Sequence, residues 1–492
     1  MDPKTKRKQQ RKAESASPVN RILAIVVSAL LALGVTVFIL NVAAVPHRTL
    51  TALTVGDVKV TAAEYNVYFG DVYSNIIEMY EYYGIDTSTL TEDYFREQAE
   101  AQIQSTVLLA DEARKNNLVL SEENRATLDS ALAEVDSAAA TEKTSANKLL
   151  SDAYGQGVTR AVYAKVVEDR ALASQWSTEK PASYEYTQTD LDTYYEENPL
   201  SVDLFTFRAF TIAADAPVIE EGETEATEEA AQAVLDEAKA KADKFLSEIT
   251  TEASFNELAA TYAPEESAST YTDDPDATLV QSTSISDYAE VERNWLSDAA
   301  RKTGDKTVLD TASDTGYIIY YFIKQEHPDA DTVDVRHILA LFKDETGAQV
   351  EEPTDEQKEA AKTLAQGILD EWNAGAKTED SFAELAREKT DDSNGAQGGL
   401  YENVGPHTGF VEPFRDWSVD SARQPGDTAL VETVYGYHVM YFVRKTGEAE
   451  WVVTVDGLMR ERDFAAYTTA LNEANPIVKN DFGMSFTLKF KT

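Results

Sequence analysis

VRHILAL, from Val335 to Leu341, and YGYHVMYFV, from Tyr435 to Val443, bracket the stretch Val333–Thr446. Each reads as a short apolar strand with one histidine inside it. The chain has five histidines in 492 residues, and His337 and His438 are the two that fall in these strands. Between them lie two helical segments, a polar loop with Asp391 and Asp392, and the aromatic segment FVEPFRDW, Phe410–Trp417. Phe410 and Phe414 are four apart, so they can share one helical face.

A weaker echo of this stretch precedes it. WLSDAARKTGDKTVLDTASDTGYIIYYFIK, from Trp295, parallels WSVDSARQPGDTALVETVYGYHVMYFVR, from Trp417, with two extra residues in the first copy. SFNELAATY at Ser254–Tyr262 parallels SFAELAREK at Ser381–Lys389. Self-similarity at about 125 residues implies two copies of one fold, at about Ser201–Gln325 and Val333–Thr446. The copies differ where chemistry would sit. Ala209 takes the place of His337, Ile318 takes that of His438, and Glu265–Thr278 lacks the glycine pair Gly398-Gly399.

The second copy resembles the parvulin-type peptidyl-prolyl isomerases. The pieces run in family order: VRHIL at Val335–Leu339, SFAELAREKTDD at Ser381–Asp392, QGG at Gln397–Gly399, FVEPF at Phe410–Phe414 and PGDTALVETVYGYHVMYF at Pro425–Phe442. GGLYENV departs from the family, which usually has aspartate and leucine after the glycine pair. The resemblance implies a catalytic set of His337, Asp392, Thr433, Tyr435 and His438, with the histidines facing each other at the centre of the sheet. It implies a proline wall of Phe410, Val411 and Phe414, with Met440 left to the core. Asp391 then reads as loop polarity, and His407, in the loop before Phe410, as exposed. The first copy reads as a parvulin fold without the pocket.

Composition bounds the rest. Net charge is −43, and seven of the 44 Lys/Arg sit in Met1–Arg21, leaving a body near −48. So acidic a body argues against nucleic-acid binding, which needs cations against phosphate. With no cysteine there is no disulfide, thiolate nucleophile or zinc-thiolate site. Residues 1–21 form a basic tail, and 22–45 are apolar for long enough to span a bilayer. Flanking Lys/Arg predict a cytoplasmic N-terminus and an extracytoplasmic body held by one membrane helix. A cleaved signal peptide is the alternative, because Val42-Ala43-Ala44 passes as a cleavage site.

Residues 46–200 read as a mostly helical domain. A strand or hairpin arm is expected at Thr54–Val60, and Thr61 with Glu64 forms a capping box. Further helices are expected around Phe95–Ala110, Glu122–Ala133, Val158–Trp176 and Asp190–Asn198. A strand at Val202–Ile212, an acidic linker and a helix at Ala230–Ile249 follow. The parts are then 201–327, a degenerate parvulin-like unit, 331–447, the isomerase unit, and 448–492, which resemblance to PrsA-like and SurA-like foldases places back on the helical domain. That tail should hold a helix near Asp456–Ala470 and a strand near Ser485–Phe490. The fold class is multidomain α+β.

Isomerising an X–Pro bond means breaking amide resonance, a barrier of about 18–20 kcal/mol. No bond is made or cleaved, so no metal or cofactor is needed. The expected partners are unfolded exported chains containing proline, with a homodimer left open. The rivals are a holding chaperone whose parvulin copies are scaffold only, favoured if bulky Tyr435 closes the pocket, and a surface adhesin.

Overall fold

A computed structural model describes residues 44–217, 219, 226–311 and 315–488. The basic tail and residues 22–43 of the expected membrane helix lie outside these. Among the described residues no helix is long and apolar enough to cross a membrane. The chain divides into two units, residues 1–184 with 460–492 and residues 185–459.

In the first unit a short helix α1 (Val45–Thr49) leads into a hairpin of β1 (Thr51–Val55) and β2 (Val58–Thr61). Gly56 supplies the left-handed turn residue, at φ +55°. The capping box forms: Thr61 Oγ1 accepts from the Glu64 N–H, and the Glu64 carboxylate accepts from the Thr61 N–H at 2.7 Å. It starts α2 (Ala62–Tyr82), followed by α3 (Glu92–Lys115), α4 (Glu122–Thr141), α5 (Ala146–Tyr154) and α6 (Arg160–Ala182). Tyr65, Tyr68 and Phe69 on α2 are core residues, packed with Phe95, Ile103 and Val107. Further along, Met79, Tyr82, Tyr83 and Ile85 are exposed, Tyr82 to 83%.

The chain's end belongs to this unit. Its strand is Ile477–Lys479, antiparallel to β1, and not Ser485–Phe490 as expected. Residues 485–488 belong to no strand, and 489–492 lie outside the described residues. The Asn480 side chain accepts from the N–H groups of Phe482 and Gly483 and starts the helical turn Asp481–Met484. Phe486 and Leu488 then reach the core from turns, so their apolar spacing never required a strand.

The second unit opens with α7 (Gln188–Glu197), then β3 (Leu204–Ala213), α8 (Glu228–Glu248), α9 (Glu252–Tyr262), α10 (Ala268–Asp273), β4 (Leu279–Thr283), α11 (Glu290–Leu296), β5 (Lys306–Asp310) and β6 (Gly316–Glu326). The pattern repeats as β7 (Asp331–Leu341), α12 (Asp355–Ala374), α13 (Glu379–Lys389), β8 (Leu400–Val404), α14 (Glu412–Val419), β9 (Thr428–Glu432) and β10 (Gly436–Ala449). The sheets have the same order, β4-β3-β6-β5 and β8-β7-β10-β9, each antiparallel throughout.

Side chains on a strand alternate faces. On β7 and β10, Ile338, Ala340, Tyr437, Val439 and Tyr441 pack with Ala365, Ile368 and Trp372 of α12 and Phe382 of α13. Val333, Val335, Met440 and Phe442 pack on the opposite face with Phe414 and Trp417 of α14. The period of two therefore places His337 and His438 on the α14 face. Both faces being covered explains why these strands read as nearly continuous apolar runs.

Register fixes the correspondence between the copies. His337 lies opposite Met440, as Ala209 lies opposite Tyr320; His438 lies opposite Leu339, as Ile318 lies opposite Thr211. The supports recur. Arg336 pairs with Glu379 at 3.0 Å and Arg208 with Glu252 at 3.1 Å. Arg423 lies over Trp417 and Arg301 over Trp295.

Candidate active site

The site begins with backbone geometry. The His337 N–H donates to the Gly399 carbonyl at 2.9 Å. Gly398 and Gly399 both sit at φ +69°, a left-handed conformation that favours glycine. A Cβ on Gly399 would lie 2.1 Å from the His337 carbonyl oxygen. Arg336 Nη1 donates to the carbonyls of Gln397 and Gly398, locking the loop to the strand that carries His337. In the first copy the equivalent bond runs from the Ala209 N–H to the Thr278 carbonyl, with no glycine pair.

The two histidines meet across β7 and β10. His337 Nδ1 lies 3.0 Å from His438 Nδ1, and His438 Nε2 lies 3.0 Å from Thr433 Oγ1. His337 is 1% exposed and His438 5%. Asp392 Oδ2 lies 3.5 Å from His337 Nε2, too far for a hydrogen bond, and that nitrogen has no other partner among the described residues. The carboxylate selects the proton pattern. A lone pair on His337 Nε2 would face negative charge, so this nitrogen carries the hydrogen. Nδ1 then accepts from His438 Nδ1–H, and His438 Nε2 accepts from the Thr433 hydroxyl.

Burial lowers the pKa of both rings. Asp392 partly opposes this at His337, while His337 adds to it at His438. The pair is thus neutral at physiological pH. A consequence for stability follows. Unfolded histidines bind protons below about pH 6.5, whereas the folded pair does not. Stability is therefore full above that pH and falls as pH drops toward the lowered values. The slope contributed is up to about 1.4 kcal/mol per pH unit for each ring. Urea unfolding from pH 7 to pH 5 should show it, and His337→Gln with His438→Gln should flatten it. An unchanged slope in the double variant would place the effect elsewhere.

The aromatic wall surrounds the pair. Phe410 and Phe414 stack at 4.8 Å between centroids, and Phe414 meets both histidine rings edge-on, at 5.3 and 5.4 Å. Val411 caps the start of α14, with Pro413 in its first turn. Met440 is buried in the same cluster.

Several residues sit differently from expectation. Tyr435 is 47% exposed and reaches the network only through its backbone N–H, which donates to Thr433 Oγ1. It lies in the turn between β9 and β10, where the Thr433 N–H donates to the Gly436 carbonyl. Asp391 does more than lend polarity: it accepts the Leu341 N–H and pairs with Lys343. His407 is half-buried, its Nδ1 2.7 Å from Glu450, because the turn at Gly405-Pro406 folds it inward.

Tyr401 is the residue that sequence reasoning missed. It stands in GGLYENV, the segment that departs from the family. Its ring stacks on His337 at 5.1 Å and meets Phe410 at 4.8 Å, and its hydroxyl donates to Asp392 Oδ1 at 3.3 Å. Burial, then the Asp392 charge, push that hydroxyl up to about 12, so it stays a donor. Asn394 was missed too: its buried amide lies beside His337 and opposes the effect of burial on that ring, and among the described residues neither amide atom has a partner at full hydrogen-bond geometry.

A family model described as the PPIC-type PPIase domain matches residues 317–446. The chain carries a parvulin domain within this range. No curated protein matches the chain in sequence. Among solved structures, PrsA from Bacillus cereus is 21% identical over 29% of this chain and 48% of that one, with a TM-score of 0.19. PrsA from Bacillus subtilis is 11% identical over 81% of this chain and 93% of that one, with a TM-score of 0.30. A structure of SurA-like chaperones from Campylobacter jejuni is 20% identical over 33% of this chain and 57% of that one, with a TM-score of 0.17. The match to the parvulin domain starts within β6, ahead of the strand that carries His337.

The first copy has the same sheet order with its pocket face filled. Tyr320, in Met440's place, donates from its hydroxyl to Glu292 at 2.9 Å. Counting back from the matching tryptophans, Glu292 occupies the position of Phe414 and Tyr288 that of Phe410. A carboxylate thus replaces one wall phenylalanine of the parvulin domain, and the histidine pair is lost with it.

Proposed function

We propose that this chain is a foldase that catalyses cis/trans isomerisation of X–Pro bonds in exported proteins. The observation that carries this reading is the neutral His337–His438 pair, bonded to Thr433 and faced by the aromatic wall. Phe410, Val411 and Phe414 hold the proline ring away from water. Water stabilises the planar amide, whose resonance form is the more polar, so a dry wall lowers the cost of twisting. Planarity also puts negative charge on the carbonyl oxygen. The Asp392 carboxylate disfavours that charge and so favours the twisted state over the planar one. The Thr433–His438–His337 chain fixes the ring that meets the substrate, and Tyr401 fixes Asp392. The first copy, lacking both histidines, acts as spacer or client contact.

Holding of unfolded chains is assigned to the first unit. Met79, Tyr82, Tyr83 and Ile85 form an exposed apolar end of the kind used for binding. Anchoring by residues 22–45, with the body outside the membrane, rests on the apolar run and the basic residues before it.

The test is a proline-switch assay with the full chain and a short Ala-Pro peptide. Acceleration over the uncatalysed rate, which takes tens to hundreds of seconds, is the expected result. No acceleration from folded protein would leave a holding chaperone.

A further inference from the structure

The proton order of the Thr433–His438–His337 chain is not fixed by the chain itself. In one order the Thr433 hydroxyl donates to His438 Nε2, and His438 Nδ1–H donates to His337 Nδ1. In the reverse order His337 Nδ1–H donates to His438 Nδ1, and His438 Nε2–H donates to Thr433 Oγ1. The Thr433 hydroxyl then has the Gly436 carbonyl to donate to, at 3.4 Å. Both orders satisfy the chain. They part at its free end, where His337 Nε2 carries either a hydrogen or a lone pair.

The group that meets that nitrogen sets the order. Asp392, 3.5 Å away, acts there through charge and not as a hydrogen-bond partner. Asn394 is the neutral polar group beside it. Its loop is a short 3-10 turn, Ser393–Gln397, tied to both sides of the site. The Asn394 N–H donates to Asp392 Oδ1 at 2.9 Å, and the Asn394 backbone carbonyl accepts from the Gly399 N–H at 3.1 Å. Gly399 in turn accepts from the His337 N–H. Both side-chain amide atoms of Asn394 are shielded from solvent, as is His337 Nε2. None of the three has a partner at full hydrogen-bond geometry among the described residues. Burial lowers the His337 pKa, and Asp392 and then Asn394 oppose it, as an acceptor at a ring N–H does. In the first copy Ala209 replaces the ring. There Asp273, five residues before Thr278 as Asn394 is before Gly399, is exposed.

Building on the isomerase reading, we infer that Asn394 is a positioning residue. Its side-chain carbonyl takes the His337 Nε2–H and so holds the whole chain in the order that runs from Thr433 to His337.

The test uses the full chain with isotope-labelled histidine, beside Asn394→Leu and Asn394→Asp. Imidazole nitrogen shifts of the parent should show His337 protonated at Nε2 and His438 at Nδ1. Asn394→Leu should move both rings together toward the reverse pattern. It should also lower kcat for an Ala-Pro peptide about tenfold with KM little changed, since a histidine in the wrong tautomer loses its part in the reaction. Asn394→Asp keeps an acceptor and adds charge. The titratable groups facing His337 are Asp392, Tyr401 of β8 and His438 of β10. A second carboxylate among them favours the charged ring, so the rate should match the parent at about pH 8 and fall about one pH unit sooner on acidification. Parent rings in the reverse tautomers, or tautomers and kcat that Asn394→Leu leaves unchanged, would overturn the inference while the isomerase reading stands. Should Asn394→Leu fail to fold, an Asn394→Asp profile that coincides with the parent's would overturn it. No acceleration by the parent would overturn the isomerase reading, and the nitrogen shifts would still decide the tautomer.

Discussion

Gly399→Ala is expected to cost the parvulin domain about 3 kcal/mol or more and to remove its isomerase activity. Two effects add. The left-handed backbone at φ +69° costs an L-residue about 1 kcal/mol. The new Cβ would sit 2.1 Å from the His337 carbonyl oxygen, a backbone atom that cannot rotate away. Relief requires β7 and the Gly398-Gly399 turn to separate, which breaks the bond from the His337 N–H to the Gly399 carbonyl. The histidine pair then loses its register with Asp392. Urea unfolding followed by tryptophan fluorescence would report the domain through Trp372 and Trp417, and far-UV circular dichroism would report the helices of the first unit. A variant with the parent's midpoint and activity would show that the loop adapts.

His438→Ala should lower kcat/KM for an Ala-Pro peptide by about a hundredfold, the scale on which losing a preorganised polar group acts. The substitution removes the ring that links Thr433 to His337. It leaves His337 Nδ1 and the Thr433 hydroxyl without their partner, and buried polar groups left unpaired cost about 1–3 kcal/mol each. Asp392→Ala should cost about tenfold, because it removes a charge 3.5 Å away and no direct bond to the pair. Ile318→Ala, the same position in the first copy, should leave the rate unchanged. The comparison separates the two copies within one chain. Equal losses for Ile318→Ala and His438→Ala would move the activity away from the pair.

How much of this could be read from sequence depends on the range of the interaction. Local signals were reliable. Thr61 and Glu64 are three residues apart, and their capping box forms as read. The family resemblance set His337 and His438 facing each other, and the repeat of Trp, Arg and Gly-Asp pointed to two copies of one fold. Short-range signals were weaker at the chain's end, where Phe486 and Leu488 satisfy their burial from turns and the strand forms at Ile477–Lys479.

The sequence by itself determined most of the strands and helices, the duplication and the loss of both histidines in the first copy. Each follows from neighbours within a few residues or from comparison of the chain with itself. Tertiary structure alone decided what those residues touch. Tyr401 follows the glycine pair by two positions, yet its bond to Asp392 and its stack on His337 depend on the pairing of β8 with β7. Tyr435 occupies a family position, yet it is half exposed and joins the network only through its backbone N–H. Spacing along a chain specifies which face a side chain takes. Only the packing of elements distant in sequence specifies what waits on that face.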